Sequence, residues 1–467
     1  MPTRRASLRA FCATLLLALL LVVGCDSGAP PDETPDDPAP LDTAAWVDDA
    51  VIYEMFIPDF SEEGTFQGAM ERFDHLEELG INTIWLMPIH PIGEERAKTD
   101  IGPLGSPYSI RDYYAVNPDY GSEEDFRAFV DEAHARDMRV IIDLVANHTA
   151  WDHPWLDENP EWYEDGPIDG FTVPVLDGDT TDWTDVVQLD YDNPELRDEM
   201  IAMMQYWVRE YNIDGYRADV AGLVPNDFWT RAIDSLEAVK DPVFMLAEDA
   251  EPEMHDAGFD LTYAWPFYGE MVETWEDEHS LPDLVETIES VDEELPEGAM
   301  RMRFSTNHDE TAWDAPPPAL FGGQEGAKTA FVFATTLPGV PLIYNGQELS
   351  VQDTVSFFEA TPYDWEAETT LMPFYTEYME VYTESEALRR GTLDILTPES
   401  EDALLYRREA DDEELLVAIN VRDEEVQIDL PSDHQGRTWT DVFSGESLTP
   451  DGFTLAPYGH RILRAAE

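Results

Sequence analysis

Asp219, Glu248 and Asp309 each close a short β-rich run, in the strings Gly215-Tyr216-Arg217-Ala218-Asp219, Leu246-Ala247-Glu248-Asp249 and Ser305-Thr306-Asn307-His308-Asp309. An earlier run closes as Asp143-Leu144-Val145-Ala146-Asn147-His148 and a later one as Tyr344-Asn345-Gly346-Gln347-Glu348. If these runs are strands of one closed sheet, their ends project three carboxylates, His148, His308 and Arg217 into one cleft. That set suits cleavage of a glycosidic bond. The reaction needs a proton on the leaving oxygen and a nucleophile or water at the anomeric carbon. Arg217 precedes Asp219 by one strand alternation and would set a positive charge against it, as a nucleophilic carboxylate requires. Crowded carboxylates raise one another's pKa, which suits a protonated Glu248 as general acid. A lone strand-end Asp is more often a helix cap, and a lone His a hydrogen-bond partner, so the joint set carries the reading.

Positioning these groups demands a particular order of elements. Eight β-rich runs can be read: Val51–Ile57, Ile81–Met87, Met138–Val145, Ile213–Val220, Val243–Glu248, Phe259–Tyr263, Met302–Thr306 and Val340–Tyr344. Helical patterns such as Glu123–Arg136 and Pro194–Tyr211 lie between them, the latter opened by Asn193-Pro194. Eight β-then-helix units predict an α/β fold, a (β/α)8 TIM barrel, over residues 46–387. An aromatic, Gly/Asp/Pro-rich insertion at 149–189 follows strand three, where barrel loops shape a cleft. Its Trp151, Trp155, Trp162, Tyr163 and Trp183 read equally as packing or as a sugar-stacking platform. Glu348 reads as a strand-eight cleft residue in a supporting role. Residues 388–467 break into short strands at 403–407, 415–420, 425–429, 438–441 and 461–463, a C-terminal antiparallel β-sandwich. No G-x-G-x-x-G follows the first strand and no P-loop string occurs, so nucleotide-binding readings lose support.

These strings, in this order, resemble the α-amylase family of retaining glycoside hydrolases, glycoside hydrolase family 13, in a bacterial or archaeal lipoprotein form. The resemblance covers about residues 46–467. It implies an α-glucan hydrolase acting on starch or malto-oligosaccharides through a covalent glycosyl intermediate. Asp219 would be the nucleophile, Glu248 the general acid/base and Asp309 the transition-state stabiliser. His148 and His308 would bond sugar hydroxyls, Arg217 would orient Asp219, Asp143 would be a buried partner, and Tyr108 matches the family's stacking tyrosine. The alternatives are a transglycosylase or isomerase of the trehalose-forming type, an α-1,6-active neopullulanase-like enzyme, and a non-catalytic glucan-binding lipoprotein. Two positions depart from the pattern. Gly222 and Leu223 stand where many members carry Lys-His on the product side. Asn147 matches one ligand of the family's structural calcium, but Gln188 stands where its Asp is expected, and losing a carboxylate weakens a hard-cation site. No cofactor is required; calcium is the one metal left open.

The N-terminus reads as processing signals. Arg4, Arg5 and Arg9 precede an apolar run from Ala10 to Gly24, shorter than the roughly 20 residues a spanning helix needs. Gly24-Cys25 after that run resembles a lipobox, so residues 1–24 are expected to be a signal peptide, with lipid on Cys25. Residues 3–9 also resemble a twin-Arg signal weakly. Residues 25–45 are acidic and Pro-rich, a self-repelling tether. Export to the cell surface or periplasm and a monomeric state are expected. Of the two cysteines, Cys12 lies in the removed segment, so the mature chain would have no disulfide.

Charge completes the picture. The 467 residues carry 101 Asp+Glu against 26 Lys+Arg, a net charge of −75, and removing residues 1–24 with their three Arg takes it to −78. Only three of the basic residues are Lys (Lys98, Lys240, Lys328). Such a body does not hold nucleic acid or an anionic membrane through its own charge. Yet 43% of residues are hydrophobic, so it builds a core rather than an acidic tail. A global, Lys-poor excess of acid predicts adaptation to high salt. The Debye length falls from about 30 Å at 0.01 M to about 3 Å at 1 M, which screens the repulsion folding concentrates. The melting temperature and activity are therefore expected to rise from dilute buffer to molar NaCl or KCl in a thermal-shift and activity series. A flat series would show that the acidic surface is not a salt adaptation.

Overall fold

The computed structural model describes residues 46–466 apart from 177, 294, 350, 352, 353 and 368. The expected signal peptide, Cys25 and the whole tether lie outside the described residues. Eight parallel strands close into a barrel: β1 (Ile52–Met55), β2 (Thr83–Leu86), β3 (Arg139–Leu144), β4 (Gly215–Ala218), β5 (Phe244–Ala247), β6 (Leu261–Tyr263), β7 (Met300–Arg303) and β8 (Val340–Tyr344). Their order around the barrel is their order in the chain, and β1 closes it on β8 with Ile52 opposite Leu342. Each strand is short and almost wholly buried, because side chains on one face fill the barrel and those on the other meet the helices.

Helices form where the apolar period and the caps coincide. Asn193 caps the helix Pro194–Tyr211 by accepting from Glu195 and Leu196 N–H, and Pro194 occupies its first turn. Leu196, Met200, Met203, Met204, Trp207 and Tyr211 form its buried stripe, and Asn212 ends it in the left-handed conformation at φ 59°. Ser122 and Asp125 make a reciprocal capping box for Glu123–Ala135. At the start of β4, a Cβ on Gly215 would lie 1.8 Å from the Phe244 carbonyl oxygen; only glycine lets β4 lie this close to β5.

The insertion after β3 has a framework of its own. His148–Ala150 pairs antiparallel with Val186–Gln188, His148 opposite Gln188, so the segment leaves and re-enters the barrel through one ladder. Trp155, Trp162 and Tyr163 are buried within it as packing. Trp183 is half-exposed and lies against His148 at 5.8 Å between ring centroids.

The C-terminal part is antiparallel. β9 (Thr392–Ile395), β10 (Ala403–Ala410), β11 (Glu413–Asn420), β13 (Trp439–Asp441), β14 (Ser447–Leu448) and β16 (His460–Ala465) form one sheet in the order β9-β10-β11-β16-β13-β14. β12 (Val426–Asp429) pairs with β15 (Gly452–Leu455), and Leu405, Leu416, Ile428, Phe453 and Leu455 share the core between the two sheets. Arg408 fastens this part to the barrel. It is wholly buried and donates to the Gly391 carbonyl at 2.7 Å and to the Thr336 carbonyl at the end of the helix Gln324–Thr336.

Candidate active site

Strand register builds the site. In the β3–β4 ladder Arg217 pairs with Asp143, so both side chains point into the barrel at the same height. The chain continues past β4 to Asp219, whose N–H donates to the Leu144 carbonyl, and past β5 to Glu248, whose N–H donates to the Ala218 carbonyl. Arg217 Nη1 thereby reaches Asp143 Oδ1 and Asp219 Oδ1, both at 3.0 Å. Nη2 lies 2.8 Å from Glu248 Oε1, an ion pair without hydrogen-bond angles. The Arg217 Nε–H donates to the Tyr263 hydroxyl at 3.1 Å, and its guanidinium lies 5.0 Å from the Trp85 ring. One wholly buried guanidinium thus holds three carboxylates.

The β7 end supplies the opposite wall. Asn307 caps the helix His308–Trp313 by accepting from the Glu310 N–H, which places Asp309 in its first turn beside the cleft. His308 Nε2 lies 2.7 Å from the Tyr108 hydroxyl and 3.3 Å from Asp309 Oδ2, while its Nδ1 meets the buried Glu54. The Tyr108 and His308 rings stack at 5.4 Å, and the Tyr108 hydroxyl also donates to Asp143 Oδ2 at 3.3 Å. His148 sits across the cleft; burial holds its imidazole below the usual range, opposed by the nearby Asp219 charge.

Burial separates these acids further. It pushes Glu248 well above the usual carboxylate range, against the Arg217 charge and with the help of Asp219 and Asp309. Asp309 and Asp143 are raised for the same first reason. Glu248 Oε2 accepts the Val220 N–H at 2.6 Å. Val220 has φ 40°, a left-handed conformation costly for a β-branched residue, and here its N–H is the donor to Glu248.

The structure therefore brings together Asp219, Glu248, Asp309, Arg217, Asp143, Tyr108, His148 and His308. It keeps Glu348 out of the cleft: wholly buried, Glu348 accepts from Tyr53 and pairs with His75, both at 2.9 Å. Glu54, Trp85 and Tyr263 are site residues that sequence reasoning missed. At Gly222, a Cβ would lie 2.0 Å from Asp249 Oδ2, so a larger side chain there requires the Asp249 carboxylate to move. The calcium expectation finds poor ligands. Gln188 Oε1, standing where the family's carboxylate is expected, already accepts the Val175 N–H at 3.1 Å. Among the described residues, the one trio of acid and His side chains close enough to share a cation is Glu270, Glu273 and His279, none of this junction. A neutral amide oxygen already engaged fits a hard cation poorly, and no chemical step runs through one.

A closed barrel whose strand ends crowd carboxylates around one guanidinium defines a site of glycoside-hydrolase type. The family model for the α-amylase catalytic domain matches residues 42–172 and 180–387, and that for the maltogenic amylase C-terminal domain matches 393–462. The noncanonic maltogenic α-amylase AmyB of Thermotoga neapolitana superposes with a TM-score of 0.80 at 30% identity, over 90% of this chain and 99% of that one. The α-amylase MalA of Haloarcula japonica is 29% identical over 91% of this chain and 64% of its own length. A trehalose synthase of Thermus thermophilus is 28% identical over 89% of this chain and 55% of its own. The chain thus spans between about half and two thirds of the length of these two relatives. It belongs to the α-amylase family of glycoside hydrolases.

Removing Arg217 tests the arrangement. Arg217→Met leaves three carboxylates without their common cation and is expected to cost about 3–5 kcal/mol of stability in urea melts, with loss of turnover. Arg217→Lys keeps the charge but not the fork, and should recover part of the stability and little of the activity. A melt unchanged in Arg217→Met would remove the guanidinium from this role.

Proposed function

We propose that the protein is a retaining α-glucan hydrolase, cleaving α-glucosidic bonds of starch or malto-oligosaccharides. The observation that carries this reading is Arg217 holding Asp219 and Glu248 on neighbouring nitrogens, with Asp309 on the facing wall. Clamping both carboxylates on one guanidinium favours the short separation of about 5–5.5 Å that retention uses. Glu248, kept protonated by burial, gives its proton to the glycosidic oxygen while Asp219 attacks the anomeric carbon. Asp309 stabilises the positive charge that builds on the ring. Glu248, now ionised, then takes a proton from water, which attacks the glycosyl–Asp219 ester and restores the starting configuration. His148, held neutral, and Tyr108 line the sugar being cleaved.

A second reading, transfer to a sugar acceptor, is favoured by one observation: the trehalose synthase among the relatives. The test is product analysis on starch, pullulan, maltose and trehalose, with the anomer followed by NMR. Short maltosaccharides released first as the α-anomer are expected, and Asp219→Asn should lower kcat by more than about a thousandfold with the fold intact. Glu248→Gln should be rescued in part by activated aryl glycosides, whose leaving groups need little protonation. Activity should fall as pH rises through the elevated Glu248 value, because the acid must be protonated to act. First-formed β-anomer would overturn the reading, and trehalose from maltose would move it to transfer.

The protein's setting is part of the proposal. We infer export, lipidation at Cys25 and a salt-adapted surface, from the Gly24-Cys25 string and the charge of −75. The body is repelled by anionic headgroups, so the lipid must do the holding. Cys25→Ser is expected to release the enzyme into the medium or block its processing, read by fractionation and immunoblot. Normal membrane retention of Cys25→Ser would rule the anchor out.

A further inference from the structure

Trp313 stands out among the described residues: it is 61% exposed, and Ile101 is the one other exposed large hydrophobic residue. It closes the short helix that begins at His308, one helical turn beyond Asp309. Its neighbours lead straight to the reacting groups. The Trp313 ring lies 5.7 Å from Phe358 and 6.1 Å from Phe357. Phe357 in turn lies 5.4 Å from His308 and 5.9 Å from Tyr108. Phe357 and Phe358 are buried, so Trp313 is where this aromatic file reaches solvent. Ile101, the other exposed large hydrophobic residue, sits on a loop held to Phe358 by the Leu104 N–H at 2.9 Å. Single exposed apolar residues need no explanation in general. This one is different because its ring continues the aromatic file that ends on His308 and Tyr108. An indole braced on one side by Phe357 and Phe358 and exposed to solvent presents a rigid apolar surface beside a polar cleft, which suits the C–H face of a glucose ring.

We propose that Trp313 is a sugar-stacking platform that extends the cleft beyond the three carboxylates and selects longer α-glucan chains. The proposal rests on the reading of the cleft as an α-glucan site. It makes Trp313 a binding residue that acts through its ring.

The test uses the full chain as wild type, Trp313→Phe and Trp313→Ala, with kcat and KM measured on maltotriose through maltoheptaose. Trp313→Ala should raise KM for maltoheptaose about tenfold, with a smaller rise for maltotriose. Trp313→Phe should keep KM within about twofold at every length, because a ring remains. Thermal melts check that each variant is folded. In the wild type, oxidation of Trp313 by N-bromosuccinimide, followed by peptide mass mapping, should slow in the presence of maltoheptaose. Unchanged KM values for Trp313→Ala at all lengths, equal losses in both variants, or no protection from oxidation each overturn the platform. Absence of wild-type turnover on every α-glucan overturns the underlying reading instead, and is told apart because it precedes any comparison of variants.

Discussion

Arg217 carries one positive charge into a space where Asp143, Asp219 and Glu248 converge, with Asp309 on the facing wall. One cation cannot balance four anions in a place of low dielectric, so protons must make up the difference. Burial decides where they go, pushing Asp143, Glu248 and Asp309 upward to different extents. The result is a cleft whose carboxyl groups, alike in chemistry, are set apart by their surroundings. Buried ion pairs add little net stability, but leaving one unpaired is costly, so the cluster constrains the barrel to the register that assembles it.

That register is where fold and chemistry meet. A slip of one residue between β3 and β4 would turn Arg217 away from Asp143 and towards the helices. The closed barrel, with no free edge to slide along, forbids the slip. Val220 is the local cost of this arrangement. Its left-handed backbone lets the chain leave β4 with its N–H facing Glu248, and the surrounding packing holds it there.

Much of this was legible in the sequence. Strands buried on both faces read as apolar-rich runs even where Asp214, Arg217 or Arg303 interrupts them, so all eight barrel strands were visible and the carboxylates at their ends followed. The seventh run, 302–306, is nevertheless displaced from the strand at Met300–Arg303, where Arg301 and Arg303 mask it. Glu54 was not legible: it sits inside the first run with no local sign of function, and its partner His308 lies 254 residues away. Tyr263 and Trp85 look like core aromatics until Arg217 is placed against them. Trp313 carries no signal either, since a tryptophan closing a short helix reads as packing. In the C-terminal part, β9 escaped notice because its residues alternate between exposed and half-buried, and β14 and β15 because they are short and broken by turns. Glu348 was misplaced because strand-end position alone does not say which way a side chain turns.

The ladder between His148–Ala150 and Val186–Gln188 has a consequence for how such an enzyme can diversify. The insertion leaves and returns through adjacent strands, so its interior can lengthen, shorten or change sequence at little entropic cost to the rest of the chain. His148 stands at the base of that ladder, fixed to β3 on one side and opposite Gln188 on the other. Selection can therefore rework what the insertion presents to a glucan while the histidine at its root keeps its place. Recognition and reaction, though neighbours in space, are free to evolve at different speeds.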